Sequence, residues 1–187
     1  MSVNDQISSM LADKRFCKIK RKVGEDSFCY SNGYILAKSS DFILMRQMLD
    51  FQLDGYCVFP ISAVEHIRCN NFDRYFHKIV QWENLFEEAV KSPVIDLSSW
   101  YSVFRSIKKL TEFVTIENEN PDDETYDIGR IEKITQKAIS IRYFDAKGLY
   151  DDELTTIPYD NKITIIQFDT PYINTFCKYL RERKTKR

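Results

Sequence analysis

The feature that most limits how this chain can fold is that it repeats itself. Phe16-Cys17-Lys18-Ile19 returns as Phe113-Val114-Thr115-Ile116, and Tyr30-Ser31-Asn32-Gly33-Tyr34-Ile35 as Tyr126-Asp127-Ile128-Gly129-Arg130-Ile131. Ile43 with Met45 returns as Ile139 with Ile141, Leu53 as Leu149, and Cys57-Val58-Phe59-Pro60 as Thr155-Thr156-Ile157-Pro158. Phe76-His77-Lys78 closes the series against Phe176-Cys177-Lys178. The order is kept while the separation drifts by a few residues, so the insertions and deletions lie between the matched segments, where loops tolerate them. A chain of 187 residues is thereby divided into two small units, 1–92 and 93–187.

Both copies have the same local grammar. Each opens on an amphipathic helix: Ile7, Met10 and Leu11 mark the first, and Trp100, Val103, Phe104, Ile107 and Leu110, at three- and four-residue steps, the second. Alternating runs follow. From Phe16 to Lys22, Cys17 and Ile19 alternate with Lys18 and Lys20, and Val114 and Ile116 alternate with Thr115 and Glu117. A period of two with one apolar face is a half-buried strand. Further strands are expected over 29–37, 42–49, 55–59 and 63–69, and again over 125–134, 138–144, 153–157 and 162–168. Lys38-Ser39-Ser40-Asp41 and Thr135-Gln136-Lys137 supply hairpin turns, and Pro60 and Pro158 end the fourth strand of each set. A long apolar stripe from Phe72 through Trp82 and Phe86 to Val90 predicts one helix after the first set. Thr170 as N-cap and Pro171 at the first helical position predict another after the second. Asp96 or Ser98 can cap the helix that joins the copies, so the link is expected to be helical.

A helix followed by five short strands, with Gly33-Tyr34-Ile35-Leu36, Asp41-Phe42-Ile43-Leu44 and Phe59-Pro60-Ile61 in place, resembles the Sm-like family, which includes the Sm proteins and bacterial Hfq. In the second copy Gly129-Arg130-Ile131, Ala138-Ile139-Ser140-Ile141 and Ile157-Pro158 carry the same likeness. The segment around Tyr126–Ile134 with Ile157-Pro158-Tyr159-Asp160 is also similar to bacterial proteins for which no activity follows. The resemblance implies a mainly β fold with helices: two tandem five-stranded bent-sheet barrels, Sm-like or SH3-like, each flanked by helices. It also implies self-association, or contact with another protein, through barrel edges. The family reads uridine-rich RNA with an Asp…Met-Asn segment and an Arg-Gly pair. Here Asp41 is followed by Phe42-Ile43-Leu44-Met45 without Asn, the second copy offers only Lys137-Ala138-Ile139, and neither copy has the Arg-Gly pair.

The chemistry-bearing residues are sparse. Cys17, Cys29, Cys57, Cys69 and Cys177 are odd in number and lack CxxC spacing, as expected of small apolar residues in a reducing cytoplasm. His66 and His77 stand at no metal-ligand spacing, and no P-loop, GxGxxG or GxSxG occurs. No cofactor or metal is expected. The acidic runs Glu117–Glu124 and Asp151-Asp152-Glu153 read as solvated loops, with a weak cation site as the alternative. A net charge of −1 gives no global field toward nucleic acid or membrane, no apolar run is long enough for a membrane helix, and no secretory leader is read at the N-terminus.

That neutrality hides a local contrast. Lys18, Lys20 and Lys22 share a strand face whose counterparts are Thr115, Glu117 and Glu119. The readings are two diverged solvated faces, an electrostatic contact between copies or chains, or phosphate contact. The function expected first is a non-catalytic, cytoplasmic binding or assembly module. An RNA-binding protein using Lys18, Lys20, Arg21, Lys22 and the tail Arg181–Arg187 is the alternative, and an enzyme of undefined class comes third.

Overall fold

In the computed structural model, which describes residues 2–160 and 163–183, alternation and capping produce a mainly β fold with five α-helices. The first half runs α1 (Val3–Ala12), β1 (Phe16–Lys22), β2 (Phe28–Lys38), β3 (Phe42–Leu49), β4 (Gln52–Pro60), a single 3-10 turn, β5 (Val64–Arg68), α2 (Asn71–Trp82) and α3 (Phe86–Ala89). The second runs α4 (Trp100–Lys108), β6 (Phe113–Asn118), β7 (Thr125–Ile134), β8 (Ala138–Tyr143), β9 (Thr155–Pro158), β10 (Ile165–Phe168) and α5 (Pro171–Phe176). Lys162, placed at the start of the last expected strand, and Lys184–Arg187 of the basic tail lie outside the described residues. None of the described helices is long and apolar enough to cross a membrane.

The ten strands form one antiparallel row that does not close, in the order β5-β1-β2-β3-β4-β10-β6-β7-β8-β9. Within it the two halves pair in the same register. Cys17 faces Gly33 and Val114 faces Gly129; Ile35 faces Met45 and Ile131 faces Ile141; Ile43 faces Phe59 and Ile139 faces Ile157. The pairing of β2 with β3 slips after Ile35, and that of β7 with β8 slips after Ile131, so each long strand bends at the same place. The hairpin turns match as well. Ser39 Oγ accepts from the backbone N–H groups of Asp41 and Phe42, and Thr135 Oγ1 from those of Lys137 and Ala138. Gly33 is needed because a Cβ there would stand 1.9 Å from the Arg46 carbonyl oxygen, at φ +148°; its counterpart Gly129 would meet the Arg142 carbonyl oxygen at 2.5 Å.

The main core is shared between the halves. Phe42, Leu44, Tyr56 and Val58 of the first pack with Val103, Phe104 and Ile107 of α4 and with Val114, Ile116, Ile139, Ile141 and Ile166. Each fully buried side chain of this size contributes about 1.5–3 kcal/mol. The apolar stripe of α4 is thus what seats the second half on the first. A second core lies under α1, where Ile7 and Met10 meet Cys17, Ile19, Ile43 and Phe59.

Three local expectations are corrected. The helix expected over 72–90 is interrupted where Asn84 takes φ +58°, which no α-helix continues through, and the chain restarts as the four-residue α3. The link at 91–98 is irregular, not helical, and α4 is capped one residue later than expected, by Ser99 accepting from Ser102 N–H. Its partner stretches behave as read: Thr170 caps α5 through Ile173 N–H, with Pro171 in the first turn.

Candidate functional site

The first candidate is the seam between halves. β4 and β10 pair through Val58 with Ile166, Cys57 with Gln167 and Tyr56 with Phe168, whose rings stack at 5.3 Å. Gly55 lies beside this seam because a Cβ there would come within 2.7 Å of the Phe168 carbonyl and the Thr170 nitrogen. Across the seam runs a buried ion pair. Arg21 of β1 is 1% exposed; its Nη1 and Nη2 donate to Glu119 of the second half at 2.5 and 2.7 Å, and its Nε donates to Ser31 Oγ at 3.1 Å. Glu119 also accepts from Thr164 Oγ1 at 2.8 Å. Burial alone would raise the Glu119 carboxyl; the hydrogen bonds and charge of Arg21 outweigh it and hold the group below its ordinary value. Glu117 has no such partner. Burial first, and the neighbouring Glu119 second, push its carboxyl up to about 7, while Gln167 Nε2 donates to it at 2.9 Å.

The row of strands ends on two unpaired edges that are the counterparts of the seam. β5 pairs with β1 as β10 pairs with β6: Ile67 faces Ile19 as Ile166 faces Ile116. β9 pairs with β8 as β4 pairs with β3. The β5 edge shows Glu65, His66 and Arg68 to solvent, with Arg68 donating to Asp73 at 2.7 and 2.9 Å. The β9 edge shows Leu154, Thr156 and Pro158 and follows the acidic Asp151-Asp152-Glu153.

The basic residues singled out from the sequence separate into two environments. Lys18 and Lys20 are half-buried and Lys22 is exposed, all on the outer face of β1, whereas Arg21 points with Cys17 and Ile19 into the core. Arg21 is therefore not part of an exposed basic edge; its charge is matched internally by Glu119. On the outer face Lys18 Nζ lies 4.4 Å from the Tyr30 ring centroid and Lys20 Nζ 3.5 Å from that of Phe28. Arg181 and Arg183 of the tail lie against the loop after β8: Arg181 Nη2 donates to the Lys147 carbonyl, and Arg183 pairs with Asp151 at 2.6 Å.

The remaining candidates are placed as follows. All five cysteines are free; Cys17 and Cys57 are buried, while Cys29, Cys69 and Cys177 are only half-buried. Burial raises the Cys17 and Cys57 thiols above their ordinary value and pushes Cys29 up to about 11. His77 Nδ1 is 2.9 Å from Tyr34 Oη and its burial lowers its basicity; His66 is exposed on β5, opposite Lys20. Among the described residues no group of three or more His, Cys, Asp or Glu converges on a point that could hold a metal ion. Sequence reasoning missed a cavity of about 550 Å³ between the halves, lined among others by Lys22, Asp41, Phe42, Trp100 and Tyr159. Its residues come from five separate segments, so no local pattern announces it.

Against models of known protein families, curated proteins and solved structures, the chain gives no match.

Proposed function

We propose that the protein is a non-catalytic assembly module: two Sm-like units, duplicated in tandem, joined edge to edge, and able to continue the same joint with further copies of the chain. The observation that carries this reading is the pairing of β4 with β10. Strand β4 is the fourth of its set and β10 the fifth of the other, and the molecule ends on an unpaired fifth strand, β5, and an unpaired fourth strand, β9. A joint made once inside the chain leaves both of its half-joints free at the ends. Such a contact is heterologous, head to tail, and generates rings if the rotation closes and filaments if it does not. The common register, the matching bends after Ile35 and Ile131 and the matching turns at Ser39 and Thr135 support the tandem Sm-like reading.

Light scattering after size exclusion tests the reading. The expected mass is a multiple of the 22.2 kDa chain. Leu154→Lys, which places a charge at the exposed counterpart of Tyr56, is expected to return the protein to a monomer. Val94→Lys, on the exposed link, leaves the mass alone. A monomer at every concentration reached, or an oligomer untouched by Leu154→Lys, overturns it.

A further inference from the structure

We propose that the cleft between α2 and the turn joining α1 to β1 is a binding site for a small organic phosphate monoester, a role that goes beyond the assembly reading and does not rest on it. The site begins with helix periodicity. On α2, Asp73 and Val80 are buried and Phe76 half-buried, which sets Arg74, His77, Lys78 and Gln81, at three- and four-residue steps, in one stripe beside them. On the other wall α1 ends at Ala12, Lys14 takes φ +48°, and the chain enters β1 through Arg15 and Phe16. Between the walls lies a cavity of about 540 Å³, whose apolar lining comes from Phe16 and Cys69. Small-molecule sites occupy roughly 300–1,000 Å³.

The charges of the lining name the ligand. Both carboxylates are already matched, Asp13 by Arg15 at 2.8 Å and Asp73 by Arg68 at 2.7 Å. Arg74 and Lys78, one helical turn apart, pair with no carboxylate among the described residues, so the cleft carries two cations to spare. His77 adds a neutral donor. Its Nδ1 is 2.9 Å from Tyr34 Oη, which makes no other hydrogen bond among the described residues. The phenol proton therefore goes to Nδ1, since otherwise it would be left without an acceptor, and the neutral ring carries its own proton on Nε2. Burial, which lowers the basicity of His77, keeps the ring in that neutral form. A guanidinium, an ammonium and an imidazole N–H together suit a group with nearly two negative charges and three acceptor oxygens, which is a phosphate monoester. A carboxylate or a phosphodiester brings a single charge and leaves one cation unmatched. The rest of the cavity, against Phe16 and Cys69, takes the apolar body of the ester.

The test is isothermal titration calorimetry of the full chain with phenyl phosphate, inorganic phosphate and phenyl sulfate. Phenyl phosphate is expected to bind most tightly. Phenyl sulfate keeps the ring and the three oxygens but has a single charge, and inorganic phosphate keeps the charge but leaves the Phe16 side of the cavity empty. Arg74→Gln and Lys78→Gln are each expected to weaken phenyl phosphate binding by about tenfold, the worth of a hydrogen bond to a charged group. Lys109→Gln, which removes the same charge from the exposed end of α4, leaves binding unchanged. Arg74 and Lys78 are on the surface, and thermal melting of each variant confirms that the fold is kept. Amide NMR shifts on adding phenyl phosphate should cluster at 13–16 and 73–81. The proposal is overturned by absence of binding at millimolar phenyl phosphate, by equal binding of phenyl sulfate, by binding that neither variant alters, or by shifts centred elsewhere. A phosphoserine peptide that binds more than about tenfold tighter than phenyl phosphate also overturns it, since that would mark the cleft as a protein-docking site.

Discussion

Arg46 of β3 and Arg142 of β8 occupy the same register position in the two halves, facing Tyr34 and Arg130 respectively, and they meet different fates. Arg142 donates twice to Glu182, at 2.8 and 2.6 Å, and lies over the Tyr150 ring. Arg46 is 7% exposed, lies 4.3 Å from the Tyr56 ring centroid, and its Nε and Nη1 have no hydrogen-bond partner. The difference lies in what the chain does next. In the second half the segment after α5 returns along the loop following β8, through the bridge of Leu149 with Arg181, and brings Glu182 within reach. In the first half α2 and α3 cover the neighbouring region with Val80, Ala89 and Phe86, and Arg46 is left without a bidentate carboxylate, its charge only opposing the rise that burial imposes on the Asp54 carboxyl. Positions that share a register in the two halves thus keep a common backbone role and differ in their electrostatic one.

The seam carries the largest consequence of that divergence. Arg21 has Asn118 as its counterpart, and Lys22 has Glu119, so only one of the two possible cross-half pairs can form. Arg21→Ala leaves Glu119 buried without its partner, and breaking a buried pair from one side costs about 3–5 kcal/mol. Urea unfolding should report a loss of this size, while the double variant Arg21→Met with Glu119→Leu recovers most of it. Asn118→Ala, at the counterpart position, removes the hydrogen bonds that Asn118 donates to Asp123 and accepts from Asn120 N–H, all between uncharged groups or at a loop edge, and should cost about 1–2 kcal/mol. Equal losses for Arg21 and Asn118 would erase the asymmetry.

Next in size is the arginine pair. Arg46→Met removes a buried guanidinium whose Nε and Nη1 lack partners, and is expected to raise stability by about 1 kcal/mol. Arg142→Met removes an exposed bidentate pair and moves stability slightly the other way, less so at high salt. If Arg46→Met destabilises more than Arg142→Met, the first half holds its arginine by contacts other than the Tyr56 ring.

The same asymmetry explains what the sequence disclosed and what it withheld. Period-two alternation at Phe16–Lys22 and the prolines at 60 and 158 are read directly as strands and strand ends, because burial on one face leaves a local signature. The alternation also contained the fate of Arg21: it falls in step with Cys17 and Ile19, and so belongs inside. Treating it with its basic neighbours obscured that. The pairing of β4 with β10 has no local signature, since it joins segments far apart in the chain, and neither does the break at Asn84, where a regular apolar stripe runs across a residue of positive φ. Tyr30 falls inside the strand expected over 29–37 and Phe28 just before it, and the meeting of their rings with Lys18 and Lys20 depends on the register of the hairpin.

The two carboxylates at the seam are separated by the sign of their pH dependence. Burial, with the charge of Glu119 beside it, pushes the Glu117 carboxyl up to about 7, with Glu124 adding to the shift and Arg21 opposing it. A group that binds its proton more tightly when folded contributes stability that is full below its ordinary value of 4.5 and is lost as the pH rises through about 7. Glu119 is held below its ordinary value, so its contribution is present above that value and is lost as the pH falls through the folded one. Wild-type stability is therefore expected to decline between about pH 4.5 and 7 from the Glu117 contribution. Glu117→Gln, which keeps the amide-sized group against Gln167 without the charge, should flatten that decline and leave the acid limb set by Glu119 in place. Denaturant midpoints measured across this range decide it. A Glu117→Gln profile parallel to wild type would mean that the carboxylate titrates as in water, and that the seam is open to solvent around it.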